Sequence, residues 1–282
     1  MIVNVALMSA AASIAHKRAN RPGSGVYAGR SHAVFVRNAR AVRTTNAFVF
    51  LTGFVEPVLF LIAFGYGIGG LVGDIEVGGT VGSVSYAAFV APALLAASAM
   101  NGALLDATYN VFFKMHFQRL YQAMTATSLG PLDVALGEIG WAMARGGAYA
   151  VGFLVVSIAF GLVGSWTAVL MIPAAVLVAF AFAAVGMTMT SYLSSFQQLN
   201  WVTFALLPMF LFSGTFFPIT VYPTWLQHVV EALPLWQAIA MMRGLMAAQI
   251  DAGLAVHVGY FVVLSAIGLW ATTRRLDALF LR

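Results

Sequence analysis

Long apolar runs, separated by short joints rich in proline, glycine or charge, make up most of this chain. A bilayer core of about 30 Å needs roughly 20 apolar residues of helix. Six runs meet or approach that length: 47–70, 86–109, 139–163, 168–192, 200–217 and 254–273. Only a few residues around Gly164 and Ser165 part the third from the fourth, which makes those two an antiparallel hairpin. The pattern predicts an all-α integral membrane protein with six transmembrane helices.

Composition agrees. Of 282 residues, 61% are hydrophobic and 8% charged, and the mean hydropathy is +0.91. A soluble domain carries about a quarter of its residues as charges, so most of this surface is built to face lipid. No stretch outside the apolar runs is long enough for a second core. Three parts are expected: a flexible cytoplasmic tail at 1–25, an interfacial amphipathic helix at 26–45 and a permease domain at 46–282. The tail has its charges (Lys17, Arg18, Arg21) after its apolar part, unlike a signal peptide. In the segment 26–45, Tyr27, Val34, Phe35 and Val42 share one helical face. Arg30, Arg37, Arg40 and Arg43 spread over the other, and Val36 is out of place. A merely basic flank is the simpler alternative.

Charge sets the orientation. Lys17, Arg18, Arg21, Arg30, Arg37, Arg40 and Arg43 precede the first run with no acid among them. Lys114 and Arg119 lie between the second and third runs, and Arg274, Arg275 and Arg282 follow the sixth. The opposite side holds Asp74, Glu76, Glu231 and Asp251, with one base, Arg243. The positive-inside rule puts both termini in the cytoplasm, for a multi-pass protein of the cell inner (plasma) membrane. The net charge of +5 is spent on that orientation, and no basic patch interleaved with aromatics suggests nucleic acid.

Resident catalysis finds little support. A P-loop needs a lysine after its glycines, and neither Lys17 nor Lys114 follows one. The five histidines form no H-x-x-x-H pair, and the chain has no cysteine, so a zinc site is not expected. Ser213 lacks a histidine placed in a span to act as its base. Glu56 is an acid within the first run; such groups carry a functional hypothesis by default. A proton relay and a structural carboxyl at a kink before Pro57 are the two readings. Asp106 could line a polar entry or cap its helix.

The joint at 111–137 mixes aromatic, basic and small polar residues. Pro131 and Asp133 suit the first turn of a helix. A short helix at 118–126 would precede that break. Its stripe of Phe117, Leu120, Tyr121 and Met124 has no membrane to face, which implies a partner, unless it folds back on its own helices. The stretch 217–251 is too apolar for a solvated loop, and two short helices dipping into the outer leaflet fit it. Thr224 and Gln227 have the spacing of a capping box after Pro223, and Trp225 and Trp236 suit the interfacial belt.

These residues carry a resemblance. The sequence MFLFSGTFFP (209–218) followed by PTWLQHVVEALPLWQAIAMMRGL (223–245) is similar to the signature of ABC type-2 exporter permeases. With FVEPVLFLIAFGYGIG (54–69), YAAFVAPALLAASAMNGALLDATY (86–109) and MTATSLGPLDVALGEI (124–139), the chain resembles the nodulation-type lipo-oligosaccharide and drug-resistance permeases from about Arg37 onward. The resemblance implies an N-terminal interfacial helix, six spans, a cytoplasmic coupling helix and outer re-entrant helices before the last span. It implies an ABC ATP-binding subunit in two copies, a second permease as homodimer or related heterodimer, and contact with membrane lipids. No cofactor is expected on this chain, with ATP and Mg on the partner subunit. The coupling surface would be Gln118, Arg119, Leu120, Tyr121, Met124 and Thr125. Asp106, Tyr109, Asn200, Phe204 and Met209 would line a pathway for an amphipathic substrate exported outward. The competing expectation is a proton-coupled secondary transporter, which would want several intramembrane acids and inverted repeats.

Overall fold

The computed structural model describes residues 27, 29–44, 55, 57–77, 82–127 and 129–280. Glu56 and the tail at 1–25 lie outside the described residues. The helices are α1 (Ser31–Thr44), α2 (Pro57–Val72), α3 (Tyr86–Phe117), α4 (Leu120–Thr125), α5 (Pro131–Ala159), α6 (Trp166–Thr190), α7 (Phe196–Phe212), α8 (Thr224–Glu231), α9 (Pro234–Met246) and α10 (Ala252–Phe280). Among the described residues, α3, α5, α6 and α10 are long and apolar enough to cross a bilayer. The shortest, with 25 residues, spans about 37 Å at 1.5 Å per residue. α2 and α7 are apolar but shorter.

Two features depart from the expected pattern. An antiparallel hairpin of β1 (Asp74–Val77) and β2 (Gly82–Ser85) joins α2 to α3, pairing Asp74 with Ser85 and Val77 with Gly82. Gly73, at φ 73°, makes the turn into it, a conformation that costs glycine little. The second departure is the length of α3. Residues 111–117, expected in a joint, continue the helix, which carries two π-helical turns, Asp106–Asn110 and Phe113–Phe117. Such turns insert extra residues without ending the helix and recur at functional positions.

Helix ends follow local chemistry. Ser85 accepts a hydrogen bond from Ala88 N at the start of α3. Gly130 is extended, Pro131 opens α5 and Asp133 accepts from Gly130 N at 2.9 Å. The capping box expected at Thr224 does not form. Pro223 occupies the cap, Thr224 is already helical, and Gln227 Nε2 donates instead to Tyr222 O at 2.7 Å.

α3 is the central helix, buried on most sides, while α10 presents Val256, Val263, Ile267 and Trp270 outward. Small residues let the helices close up, as suits a medium where packing rather than water exclusion drives association. A Cβ on Gly146 of α5 would lie 2.7 Å from Ala179 Cβ of α6 and 2.9 Å from Ala99 O of α3. α1 sits on α5 in the same way: a Cβ on Gly137 would lie 2.4 Å from Val34 Cβ. Phe35 meets Trp141 edge-on at 5.7 Å, and Arg30 N donates to Asp133 Oδ1 at 2.7 Å. Val34 is buried, Phe35 half-buried and Val36 exposed, so α1 packs through part of the face the sequence marks, whose Tyr27 stays exposed.

Candidate functional site

Three helices, α2, α3 and α7, enclose a groove of about 280 Å³. Phe60 comes from α2, Leu94 and Asn101 from α3, and Thr203 and Phe210 from α7. The walls are almost wholly apolar. Asn101 and Thr203 are the polar residues on them, and Asn101 is a half-buried amide with no hydrogen-bond partner among the described residues. One end of the groove is pinned by a hydrogen bond between Tyr109 and Thr203, 3.1 Å apart. At the other, Phe64 packs on Phe216 with ring centres 4.5 Å apart, and Phe210 meets Phe216 edge-on at 5.3 Å.

The five residues expected to line a pathway fall in different places. Tyr109 is half-buried at the α3–α7 contact. Asn200 and Phe204 are exposed on α7, beside Trp201, which is 70% exposed and meets Phe204 edge-on at 6.3 Å. Met209 packs against the core next to the groove. Asp106 lies elsewhere: it is buried and bound by Arg145 of α5 and Asn110 of α3. Arg145 also donates to Tyr149 OH at 2.9 Å. The carboxylate is thus neutralised inside the bundle rather than presented to a pathway.

The joint after α3 also differs from its expected form. Arg119 takes a left-handed conformation (φ 49°), uncommon for a residue with a Cβ. That single residue turns the chain from α3 into α4. Gln118 and Arg119 are exposed and Leu120 is half-buried. Tyr121, Met124 and Thr125 are buried against α5 and α10, in a cluster with Val134, Ile139 and Leu276. Of the apolar stripe expected to face a partner, Tyr121 and Met124 are covered by the chain's own helices, Leu120 is half-buried and Phe117 stays exposed. What α4 presents outward is Gln118, Arg119, Gln122 and Ala123, next to Phe117 at 66% exposed.

Beneath α4 lies a polar node. Lys114 Nζ pairs with Glu138 Oε2 at 2.6 Å. Asn38 of α1 donates to the same oxygen at 2.9 Å and accepts from Lys114 at 3.1 Å. Arg37 donates to Asn38 Oδ1 at 3.1 Å. The Tyr121 hydroxyl faces this node without a hydrogen bond of standard geometry. Burial, and then the Glu138 charge, raise its pKa well above the usual range. The node joins α1, α3, α4 and α5 into one unit.

Sequence reasoning misses Arg145 and Glu138. Position is the signal that finds them: Arg145 lies inside the third apolar run and Glu138 at its edge, where a charge needs a partner.

Comparison with known proteins places this architecture. The model of the ABC-2 type transporter family matches residues 32–247. Nodulation protein J of Rhizobium leguminosarum bv. viciae is 31% identical over 233 residues, covering 82% of this chain and 87% of that protein. Nodulation protein J of Rhizobium leguminosarum bv. trifolii is 31% identical over 251 residues, 89% of this chain and 94% of its own length. The inner membrane transport permease YadH of Escherichia coli (strain K12) is 27% identical over 194 residues, 67% and 72% of the two chains. A match over residues 32–247, on a bundle of long apolar helices, means that this chain belongs to the ABC-2 type transporter family.

Proposed function

We propose that this chain is the membrane-spanning permease subunit of an ATP-driven exporter that moves an amphipathic, lipid-linked or glycolipid-like substrate outward across the cytoplasmic membrane. The observation that carries the reading is the groove of α2, α3 and α7. It is apolar along most of its walls, holds an amide, Asn101, unpaired among the described residues, and borders through Thr203 the part of α7 that exposes Trp201 and Phe204. Apolar walls accept a hydrocarbon portion, and a sparse polar group orients the head. A second permease would close the open side through Trp201 and Phe204. With six spans, α2 and α7 included, both termini would share one side, and the basic flanks support the cytoplasm as that side. ATP and Mg belong to two copies of a separate ABC subunit docking on the exposed face of α4. A rigid-body movement of that subunit would reach the groove through the Lys114–Glu138–Asn38 node. The names of the relatives, a nodulation protein and a transport permease, support transport.

The test is reconstitution with an ABC ATP-binding subunit in vesicles carrying a fluorescent short-chain glycolipid. Movement that requires ATP and is insensitive to a protonophore is expected. Thr203→Trp, which narrows the groove from its exposed rim, should stop movement while leaving assembly with the ATPase intact. Movement driven by a proton gradient without ATP would replace this reading with a proton-coupled transporter.

A further inference from the structure

At the end of the bundle away from α1 and α4 lies a second cavity, of about 370 Å³. That size is within the range of small-molecule sites, about 300–1,000 Å³. The first turns of α3 and the loop after α5 supply apolar walls, including Phe89, Pro92 and Leu162. Arg243 of α9, Asp251 and His257 of α10 supply polar ones. Arg243 is the unusual group. Its guanidinium lies 3.8 Å from the centre of the Phe89 ring. Nη2 donates to Gly214 O at 2.7 Å and Nε to Phe89 O at 3.4 Å. No carboxylate of the described residues lies within 4.0 Å of it, and Nη1 has no hydrogen bond among them.

A half-buried guanidinium met only by carbonyls and a ring is under-compensated. An anion entering beside it would relieve that cost. Asp251 does not do so: it forms no ion pair with Arg243, and its Oδ1 accepts from Leu254 N at 3.1 Å, capping α10. The nature of the anion follows from depth. Trp166 and Trp225, 78% and 68% exposed, lie toward the same end of the bundle, and exposed tryptophans mark the headgroup level of a bilayer. Phosphate is the anion concentrated there, and the guanidinium fork fits it. The acceptors are set for a donor on the same headgroup. Gln237 gives its Nε2 to Glu231 O, so its Oε1 faces His257 Nδ1. With Nδ1 donating to that oxygen, Nε2 of a neutral His257 ring is an acceptor.

We propose that this cavity binds the phosphate of an amphiphile headgroup, with Arg243 as the anion-recognising residue and a hydroxyl- or ammonium-bearing headgroup preferred. The leaflet it faces rests on the export reading; the binding itself does not.

The test uses the full chain purified in detergent, without ATP or ATPase. Binding is followed by thermal stabilisation with short-chain phosphatidylglycerol, diacylglycerol of the same chain length, and inorganic phosphate. Arg243→Gln removes the charge and Arg243→Lys keeps it. Ala240→Phe, also on the cavity wall, fills space without touching the guanidinium and guards against a folding defect in Arg243→Gln. Phosphatidylglycerol should bind and diacylglycerol should not. Its affinity should fall about tenfold or more in Arg243→Gln and Ala240→Phe, and less in Arg243→Lys. Inorganic phosphate binding as tightly as the lipid, with the same dependence on Arg243, supports the phosphate site and assigns it to a soluble anion. Equal binding of the two lipids, or phosphatidylglycerol binding unchanged in both Arg243→Gln and Ala240→Phe, overturns the proposal. Since no transport enters the measurement, a failure here leaves the export reading standing, and loss of ATP-driven movement leaves this site standing.

Discussion

Asp106 and Arg145 are 39 residues apart in sequence and in contact within the bundle. Both are charges within apolar runs, and what the chain as written does not show is that they pair. Asp106 sits near the end of an apolar run, where an acid draws attention. Its partner is fixed by how α3 and α5 cross, which periodicity along either helix does not report. The same holds for Glu138, whose link to Lys114 and Asn38 joins three helices. A buried pair is poor evidence of net stability, yet removing one member leaves an uncompensated charge and costs about 3–5 kcal/mol. Asp106→Ala should therefore lower the unfolding temperature of the purified chain markedly. The double change Asp106→Leu with Arg145→Met replaces both charges by apolar groups and should recover most of the loss. A double variant no more stable than Asp106→Ala would mean that the stranded guanidinium is not the source of the cost.

At the level of elements, α4 shows where a pattern can be legible and its consequence not. The stripe of Phe117, Leu120, Tyr121 and Met124 is visible in the sequence at helical spacing, and a helix forms over its last three members. Which surface the stripe covers depends on the π-helical turns of α3 and the left-handed Arg119, and neither has a sequence signature. Together they fold α4 back, so that Tyr121 is fully buried beside Phe280, 6.4 Å away between rings. By contrast, the start of α5 was fully legible, because Gly130, Pro131 and Asp133 act within one turn. Two variants of α4 should now behave differently. Tyr121→Ala removes a buried aromatic and should cost about 3–5 kcal/mol of stability, reducing the amount of folded protein. Arg119→Glu with Gln122→Glu changes only exposed side chains and should leave unfolding unchanged while weakening co-purification of the ATP-binding subunit. Should the surface pair retain the ATPase as well as the parent does, the docking face lies elsewhere.

For the whole molecule, hydropathy alone finds four crossings without ambiguity and leaves two to be argued. α7 is about 25 Å long at 1.5 Å per residue, short for a core of about 30 Å, and the described part of α2 is shorter still. Charge supplies what length does not. If α2 failed to cross, the hairpin β1–β2 would share a side with α1, and Lys114 and Arg119 would move to the opposite side. If α7 failed to cross, Arg274 and Arg275 would be separated from the other basic residues. Each short helix therefore has its own reporter. The chain contains no cysteine, so single cysteines can be introduced without a background. Ser83→Cys in β2, Gln122→Cys in α4 and Leu279→Cys at the end of α10 are all at exposed positions. In intact cells a membrane-impermeant maleimide should label Ser83→Cys alone, and Gln122→Cys and Leu279→Cys should react only after permeabilisation. Protection of Ser83→Cys would remove α2 from the count, and labelling of Leu279→Cys in intact cells would remove α7. Either result would also dismantle the groove as a route across the membrane, because both of its short walls must span the bilayer for α3 to be lined from one side to the other.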